Sequence, residues 1–565
     1  MQNLPAWARL VSERYYSGAF SMFVLHGNVH DLVAPGNVPL VKFLQTEMFG
    51  GRDIVLTYDR GGGITFGQPG MQADFRSALS GYDSFYGTKY SQALPRNPDG
   101  VLNILDNYIR LRIHDRRKMA LVIDYAETIA PAGDVSGMSA DDRNALVILQ
   151  RWSNNPAFLQ ADVTIVLISE NLTELNQNIV QHPGVAAVEI PMPDEAGRRD
   201  FLASQLTQTP LPEGSDLTLD ALANLTAGLK RIQLQSLVLH ANRNKQPLTM
   251  KLMSARKKEL IEAEGGGMLE FVQSRWNLSM VAGSSAAKQK LIEAGQAIRA
   301  GRTDVLPMGY VICGPVGTGK TFLANCFAGD VGIPAVILKN FRSMWQGQTE
   351  GNLERILALL KAMSPIVVIV DEADAQLGDR SSSGDSGVNN RVFAQIAQFM
   401  GNTEYRGKVI WFLLTCRPDL LPVDLKRQGR AEEHLALFYP ETEEDRLAMF
   451  RAMRRKTGAV FEPEAEAEKL FITHSRALSG ADIEALLVRA KMRATLSGKA
   501  SPATADLEAA LTDFIPASSP DEIELQSLVA VLECTSRSLL PEHYRNADRA
   551  EMLRRVQELK LLGVG

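Results

Sequence analysis

Cysteine is scarce in this chain. Its 565 residues hold four, Cys313, Cys326, Cys416 and Cys534, and their spacings fit neither a metal cage nor a disulfide framework. Three of them fall within residues 280–515, which suits a reducing cytoplasm. No apolar run reaches the roughly 20 residues that span a bilayer. The first residues, Met1-Gln2-Asn3-Leu4-Pro5, lack the apolar centre of a signal peptide. A cytoplasmic protein with no membrane partner is expected. A strong charge of one sign is also lacking. The net charge of −5 argues against bulk binding of nucleic acid and leaves room only for a local basic patch. No His-Glu-x-x-His occurs, so the zinc-protease helix signature is missing. What remains is a globular composition, 45% hydrophobic and 22% charged, in a chain too long for one core. Two or three domains are expected.

The most informative stretch is Gly314-Pro315-Val316-Gly317-Thr318-Gly319-Lys320-Thr321. It reads G-x-x-x-x-G-K-T, between an apolar strand pattern over 309–313 and a helical pattern from Phe322. Glycines let such a loop curl so that its N–H groups face phosphate oxygens. The helix start adds a favourable field for an anion. Lys320 can reach the β- and γ-phosphates, and Thr321 can offer its hydroxyl to Mg²⁺. Further on, the apolar run 366–370 ends in Asp371-Glu372. This is the pattern of a strand buried on both faces of a parallel sheet. Asp371 would hold Mg²⁺, and Glu372 would polarise the water that attacks the γ-phosphate of ATP.

With these residues in place, 280–515 resembles the ATPase domain of the AAA family in the narrow sense, which contains protein unfoldases and remodelling ATPases. Gly283 stands where that family wraps the adenine. The segment 409–419, with Thr415-Cys416-Arg417-Pro418-Asp419, resembles its sensor strand. Leu425-Lys426-Arg427-Gln428-Gly429-Arg430 resembles its arginine-finger segment. Ser479-Gly480-Ala481-Asp482 resembles the start of its helical lid, with Gly480 and Ala481 close to adenine and ribose. The resemblance implies that Arg427 and Arg430 reach the nucleotide of a neighbouring subunit, so the site is complete only in a homo-oligomeric ring, a hexamer in the family. Two departures stand out. Cys416 replaces the usual sensor Asn, and a thiol orients water weakly; Thr415 is the candidate to take over that role. The acidic residue usual near the adenine loop is replaced by Met280-Val281-Ala282-Gly283.

Met344-Trp345-Gln346-Gly347 resembles the family's aromatic pore loop. Trp345 would grip an extended polypeptide by apolar contact, and Gly347 would let the loop bend. The Gly/Ser-rich stretch 379–387 fits either a second pore loop or a plain surface loop.

The first half repeats the order of elements without the chemistry. Strand patterns occur over 20–27, 53–58, 119–124, 163–168 and 185–190, with a helix pattern from Pro39 to Phe49. The strand ending in Asp124 mirrors the one ending in Asp371, and 226–233 takes the place of the lid start. This is an internal duplication of a large unit. No Gly-Lys-Thr follows the first strand, where His26-Gly27-Asn28 stands, and Tyr125 follows Asp124 where a Glu is needed. The glycines after Asp59 read as a turn.

The expected architecture is α/β. It comprises two tandem P-loop-type αβα domains, each with a helical lid, and a C-terminal helical tail. The expected boundaries are 1–255 for a degenerate copy without nucleotide chemistry, 256–275 for a linker, 276–515 for the active ATPase and 516–565 for the tail. Residues 269–276 are expected at the interdomain seam. The run Arg454-Arg455-Lys456 reads as a solvated helix end. The last helix, with Met552, Val556 and Leu559 at helical spacing, reads as a docking helix.

Three functions compete on these grounds. The first is a ring-forming, Mg²⁺-dependent ATPase that remodels or unfolds protein. The second is an ATP-gated scaffold that does not thread its partner. The third, a loader acting on DNA, has no support in composition or motif.

Overall fold

The computed structural model describes residues 4–215, 217–272, 274–300, 302–339, 349–377, 386–474, 478–516 and 519–563. Trp345 and the segment 379–385 lie outside the described residues. The chain divides into two compact units. One is Met1–Ile261 with Gly347–Ala362; the other is Glu262–Gln346 with Met363–Gly565.

Each unit is built on a six-stranded sheet, and the two sheets have the same plan. In the first unit the strands are β1 (Met22–Gly27), β2 (Ile54–Asp59), β3 (Gly63–Phe66), β4 (Met119–Ile123), β5 (Val163–Ile168) and β6 (Val185–Ile190). Their order across the sheet is β3-β2-β4-β5-β1-β6, all parallel except the edge strand β3. In the second unit they are β7 (Leu269–Phe271), β8 (Gly309–Cys313), β9 (Ala335–Leu338), β10 (Ile366–Val370), β11 (Val409–Thr415) and β12 (Glu433–Ala436). The order β7-β9-β10-β11-β8-β12 again has one antiparallel edge, β7. The central strands β4, β5, β10 and β11 are buried along their whole length. That burial is why they read as unbroken Val/Ile/Leu runs rather than alternating ones.

Several expectations are corrected. The stretch 256–275 is not a plain linker: it holds the end of helix Met250–Glu264 and the edge strand β7. Leu269 to Phe271 therefore pairs within the second sheet rather than filling a seam. The helix read over Pro39–Phe49 is α-helical over Leu40–Phe43 and continues as a π-helical turn over Leu44–Met48. Helix Thr349–Ala362, expected inside the ATPase domain 276–515, groups with the first unit. There Arg355 pairs with Glu170 at 3.0 Å.

The first unit keeps the backbone of a nucleotide site while filling it with its own side chains. Gly27 ends β1 at φ +90°, and a Cβ there would lie 2.8 Å from the Ile190 carbonyl oxygen. Gly314 has the same relation to Leu437 in the second unit. Tyr125 follows Asp124 at φ +52°, and its amide donates to Asp124 Oδ1 at 3.0 Å. Beyond Gly27, however, Asp31 is buried at 2% exposure. Its carboxylate accepts the Arg231 and Ile232 amides at 2.9 Å each, at the start of helix Arg231–Arg243. The Asn28 side-chain amide donates to the same group at 3.0 Å. A carboxylate of the chain thus occupies the anion-binding end of this helix. Burial pushes the Asp124 and Glu127 carboxyls up, which disfavours the charged forms a metal needs. Replacing Asp31→Ala would orphan three donors, one buried and two part-buried. The expected cost is about 2–4 kcal/mol, read as a lower melting temperature of the first unit, with no change in its response to ATP.

The second unit continues into a lid of helices Glu443–Thr457, Glu464–His474, Gly480–Leu496 and Thr504–Asp513, packed around Phe450, Phe461, Phe471 and Leu487. The lid start is fixed by a capping box: Ser479 Oγ accepts the Asp482 amide and the Asp482 carboxylate accepts the Ser479 amide. Helices Pro520–Glu533 and Arg549–Leu561 then pair through Leu525, Leu528, Val529, Met552, Val556 and Leu559.

Candidate active site

The segment after β8 turns sharply because Gly314 adopts φ +139°. A Cβ there would lie 2.1 Å from the Leu437 carbonyl oxygen. Gly317, at φ +81°, lets the loop pass against the lid, since a Cβ there would meet Ser479 Oγ at 2.6 Å. Helix Lys320–Val331 begins at the end of the loop. The loop, its helix start, the segment 280–284 and the lid enclose a cavity of about 410 Å³. Val316, Gly317, Thr318, Gly319, Lys320, Thr321 and Phe322 line one side, and Asp371, Glu372 and Cys416 line another. Met280, Val281, Ala282, Met449, Met453, Gly480 and Ala481 supply an apolar wall, the form a base-binding slot takes.

Lys320 is 9% exposed. Its Nζ donates to the Gly314 and Pro315 carbonyls at 2.8 and 2.9 Å and to Cys416 Sγ at 3.1 Å. Among the described residues no carboxylate pairs with it. A nearly buried ammonium beside a cavity and a helix start fits a bound anion. Thr321 Oγ1 donates to Asp371 Oδ2 at 2.8 Å. A hydroxyl and a carboxylate oxygen in contact form a hard donor set, which fits Mg²⁺. Glu372 follows at φ +47°, its amide bonded to Asp371 Oδ1 at 2.9 Å. Its carboxylate is exposed at the cavity.

Residues 310–439, which contain Gly314, Lys320, Thr321, Asp371, Glu372 and Cys416, match the family of ATPases associated with various cellular activities, AAA. This segment is an AAA family ATPase domain. Residues 1–191 match the AAA+ chaperone N-terminal Rossmann-like domain, and 196–266 its second helical domain. Among curated relatives, the chain is 28% identical to the Cell division cycle protein 48 homolog of Archaeoglobus fulgidus, over 66% of this chain and 54% of that protein. It is 25% identical to Peroxisomal ATPase PEX6 of Penicillium chrysogenum, over 66% of this chain and 27% of that one. It is 26% identical to ATP-dependent zinc metalloprotease FtsH 3 of Symbiobacterium thermophilum, over 55% of this chain and 51% of that one. The chain spans about half the length of the first and last of these relatives. Among the described residues no helix is long and apolar enough to cross a membrane.

In this domain, the remaining predicted residues fall into three groups. Gly283, at φ +69°, shapes the segment 280–284 beside Met449. Thr415 does not reach the cavity. It is 1% exposed; its hydroxyl donates to Asp374 Oδ1 at 2.6 Å and accepts the Arg417 amide at 2.8 Å. The first unit has a hydroxyl beside a carboxyl at the corresponding positions, Ser169 and Glu127. Cys416, not Thr415, lines the cavity. Arg427 and Arg430 also lie outside the cavity. Just before their segment, Asp424 Oδ1 lies 3.7 Å from each. Arg430 also donates to the Asp424 carbonyl at 2.7 Å, while the Arg427 side chain is 58% exposed.

Lys456 is the residue that sequence reasoning missed. It is not a solvated helix end. Its Nζ lies 5.0 Å from the centre of the Phe322 ring, pairs with Glu484 at 2.7 Å, and lines the cavity. Tyr439 is another. Its hydroxyl donates to the Val316 carbonyl at 2.9 Å, and burial pushes its pKa up to about 12, keeping the donor protonated.

Proposed function

We propose that the chain is a ring-forming, Mg²⁺-dependent ATPase that couples hydrolysis to remodelling or unfolding of protein. The observation that carries this reading is the convergence of Lys320, Thr321, Asp371 and Glu372 on one cavity, with Arg427 exposed outside it. A site with every group for phosphoryl transfer except a guanidinium is completed by a second copy. A planar cation supplied in this way accelerates the transfer by about 10³–10⁵-fold.

Lys320 and the loop amides bind the phosphates and hold the γ-phosphate in line. Thr321 and Asp371 would hold Mg²⁺, which neutralises charge developing on the phosphate oxygens. Glu372 accepts the proton of the attacking water. Arg427 and Arg430 of a neighbouring subunit stabilise the transferred group. The site works in a hexamer, in the cytoplasm, and Trp345 grips the polypeptide.

Support for remodelling comes from the kinship with CDC48-like and PEX6 ATPases and with the AAA+ chaperone domain families. The test is steady-state ATP turnover with and without an unfolded protein. Several-fold stimulation is expected, and Trp345→Ala is expected to keep basal turnover while abolishing unfolding of a tagged substrate. Cys416 beside Lys320 favours a second reading, an ATP-gated scaffold with slow hydrolysis. Turnover indifferent to every unfolded protein tested would support that reading instead.

A further inference from the structure

The crest of the phosphate loop is held from outside the ATPase core. Val316 stands at that crest, 41% exposed, so burial does not fix it. Its backbone does: the Val316 amide donates to Gln526 Oε1 at 2.8 Å, and its carbonyl accepts the Tyr439 hydroxyl at 2.9 Å. Both polar groups of one loop residue are therefore taken by side chains, and the amide is not turned to a phosphate. Gln526 is 6% exposed, and its amide nitrogen donates to Glu522 Oε1 at 3.1 Å. A buried glutamine with both ends satisfied is a defined, stiff element. It sits on helix Pro520–Glu533, beyond the AAA family match, which ends at residue 439.

The same helical pair grips two other working parts. Lys560 pairs with Asp419 at 2.7 Å, in the turn that follows Cys416. Glu533 pairs with Lys426 at 2.6 Å, next to Arg427. A Gly-rich loop loses backbone freedom when it closes on phosphate, and fixing one of its peptides beforehand lowers that cost.

We propose that the C-terminal helical pair pre-organises the nucleotide site, with Gln526 as a positioning residue for the phosphate loop. The proposal rests on the assignment of 314–321 as that loop. Gln526→Leu keeps the volume and removes the acceptor, leaving the Val316 amide unpaired. ATP binding should weaken by about 5–20-fold, seen alike in KM and in the Kd of a fluorescent ATP analogue. The kcat should stay within about two-fold, because no group at the γ-phosphate changes. Tyr439→Phe, which releases the other side of the same peptide, should shift KM in the same direction.

The experiment measures KM, kcat, analogue Kd and melting temperature for the full chain, for both variants and for Lys320→Ala. If Lys320→Ala binds the analogue as tightly as the parent, the loop assignment itself fails. If Lys320→Ala loses binding while folded Gln526→Leu and Tyr439→Phe keep the parent KM, the positioning role alone is refuted. Should Gln526→Leu not fold, Lys560→Ala, which frees Asp419 from the same helical pair, carries the decision: a KM shift in the same direction supports the proposal and the parent KM refutes it. A fall in kcat at unchanged KM also counts against the proposal.

Discussion

Glu372→Gln is expected to lower ATP turnover by about 10²–10³-fold while leaving ATP affinity within a few-fold. The size follows from what a general base contributes. The preserved affinity follows from geometry. The left-handed backbone at Glu372 is held by its amide, bonded to Asp371 Oδ1, and not by its side chain. The first unit provides a natural control. Tyr125 occupies the corresponding place with the same sign of φ and the same amide bond to the preceding aspartate. The turn therefore forms with quite different side chains, and a glutamine is no obstacle to it. The amide fills the space of the carboxylate yet takes no proton from water. Phosphate release at saturating ATP and equilibrium binding of a fluorescent analogue check the two halves of this expectation. Turnover at the parent rate would remove Glu372 from the chemistry.

Gly314→Ala is expected to be the most damaging conservative change in the second unit. A methyl group there lies 2.1 Å from a backbone oxygen, that of Leu437, and the residue sits at φ +139°. The oxygen follows strand β12, whose own pairing with β8 prevents it from giving way. The expected penalty exceeds about 4 kcal/mol, a fall of roughly 10 °C or more in the melting temperature of that unit, or insolubility. Gly332→Ala is the matched control. It has φ +75° but no atom within 4 Å of the added Cβ. Only the left-handed backbone is penalised there, at about 1–2 kcal/mol. Equal shifts for the two variants would show that the Leu437 contact is softer than it looks.

The parts of this protein that were legible from sequence are those whose physics is local. Buried parallel strands read as apolar runs because both of their faces meet helices. The phosphate loop reads because its glycines, its lysine and its threonine are contiguous. The repeat of the first unit was visible as an order of elements, since β1 to β6 retain their hydrophobic runs after the chemistry has gone. What was missed depends on register or distance. Strand β7 is three residues long, too short for any periodicity. Whether Thr415 or Cys416 faces the cavity is a matter of one residue of alternation at a strand end. Lys456 stands in a basic helix terminus, and nothing nearby in sequence says that Phe322 and Glu484 lie opposite. Gln526 carries no local signal either, because its partner is the backbone of a loop far earlier in the chain.

Asp31 carries the last consequence. A ligand that is covalently part of its receptor has no off-rate and no concentration. The start of helix Arg231–Arg243 is therefore filled by the chain itself, whatever the supply of free anion.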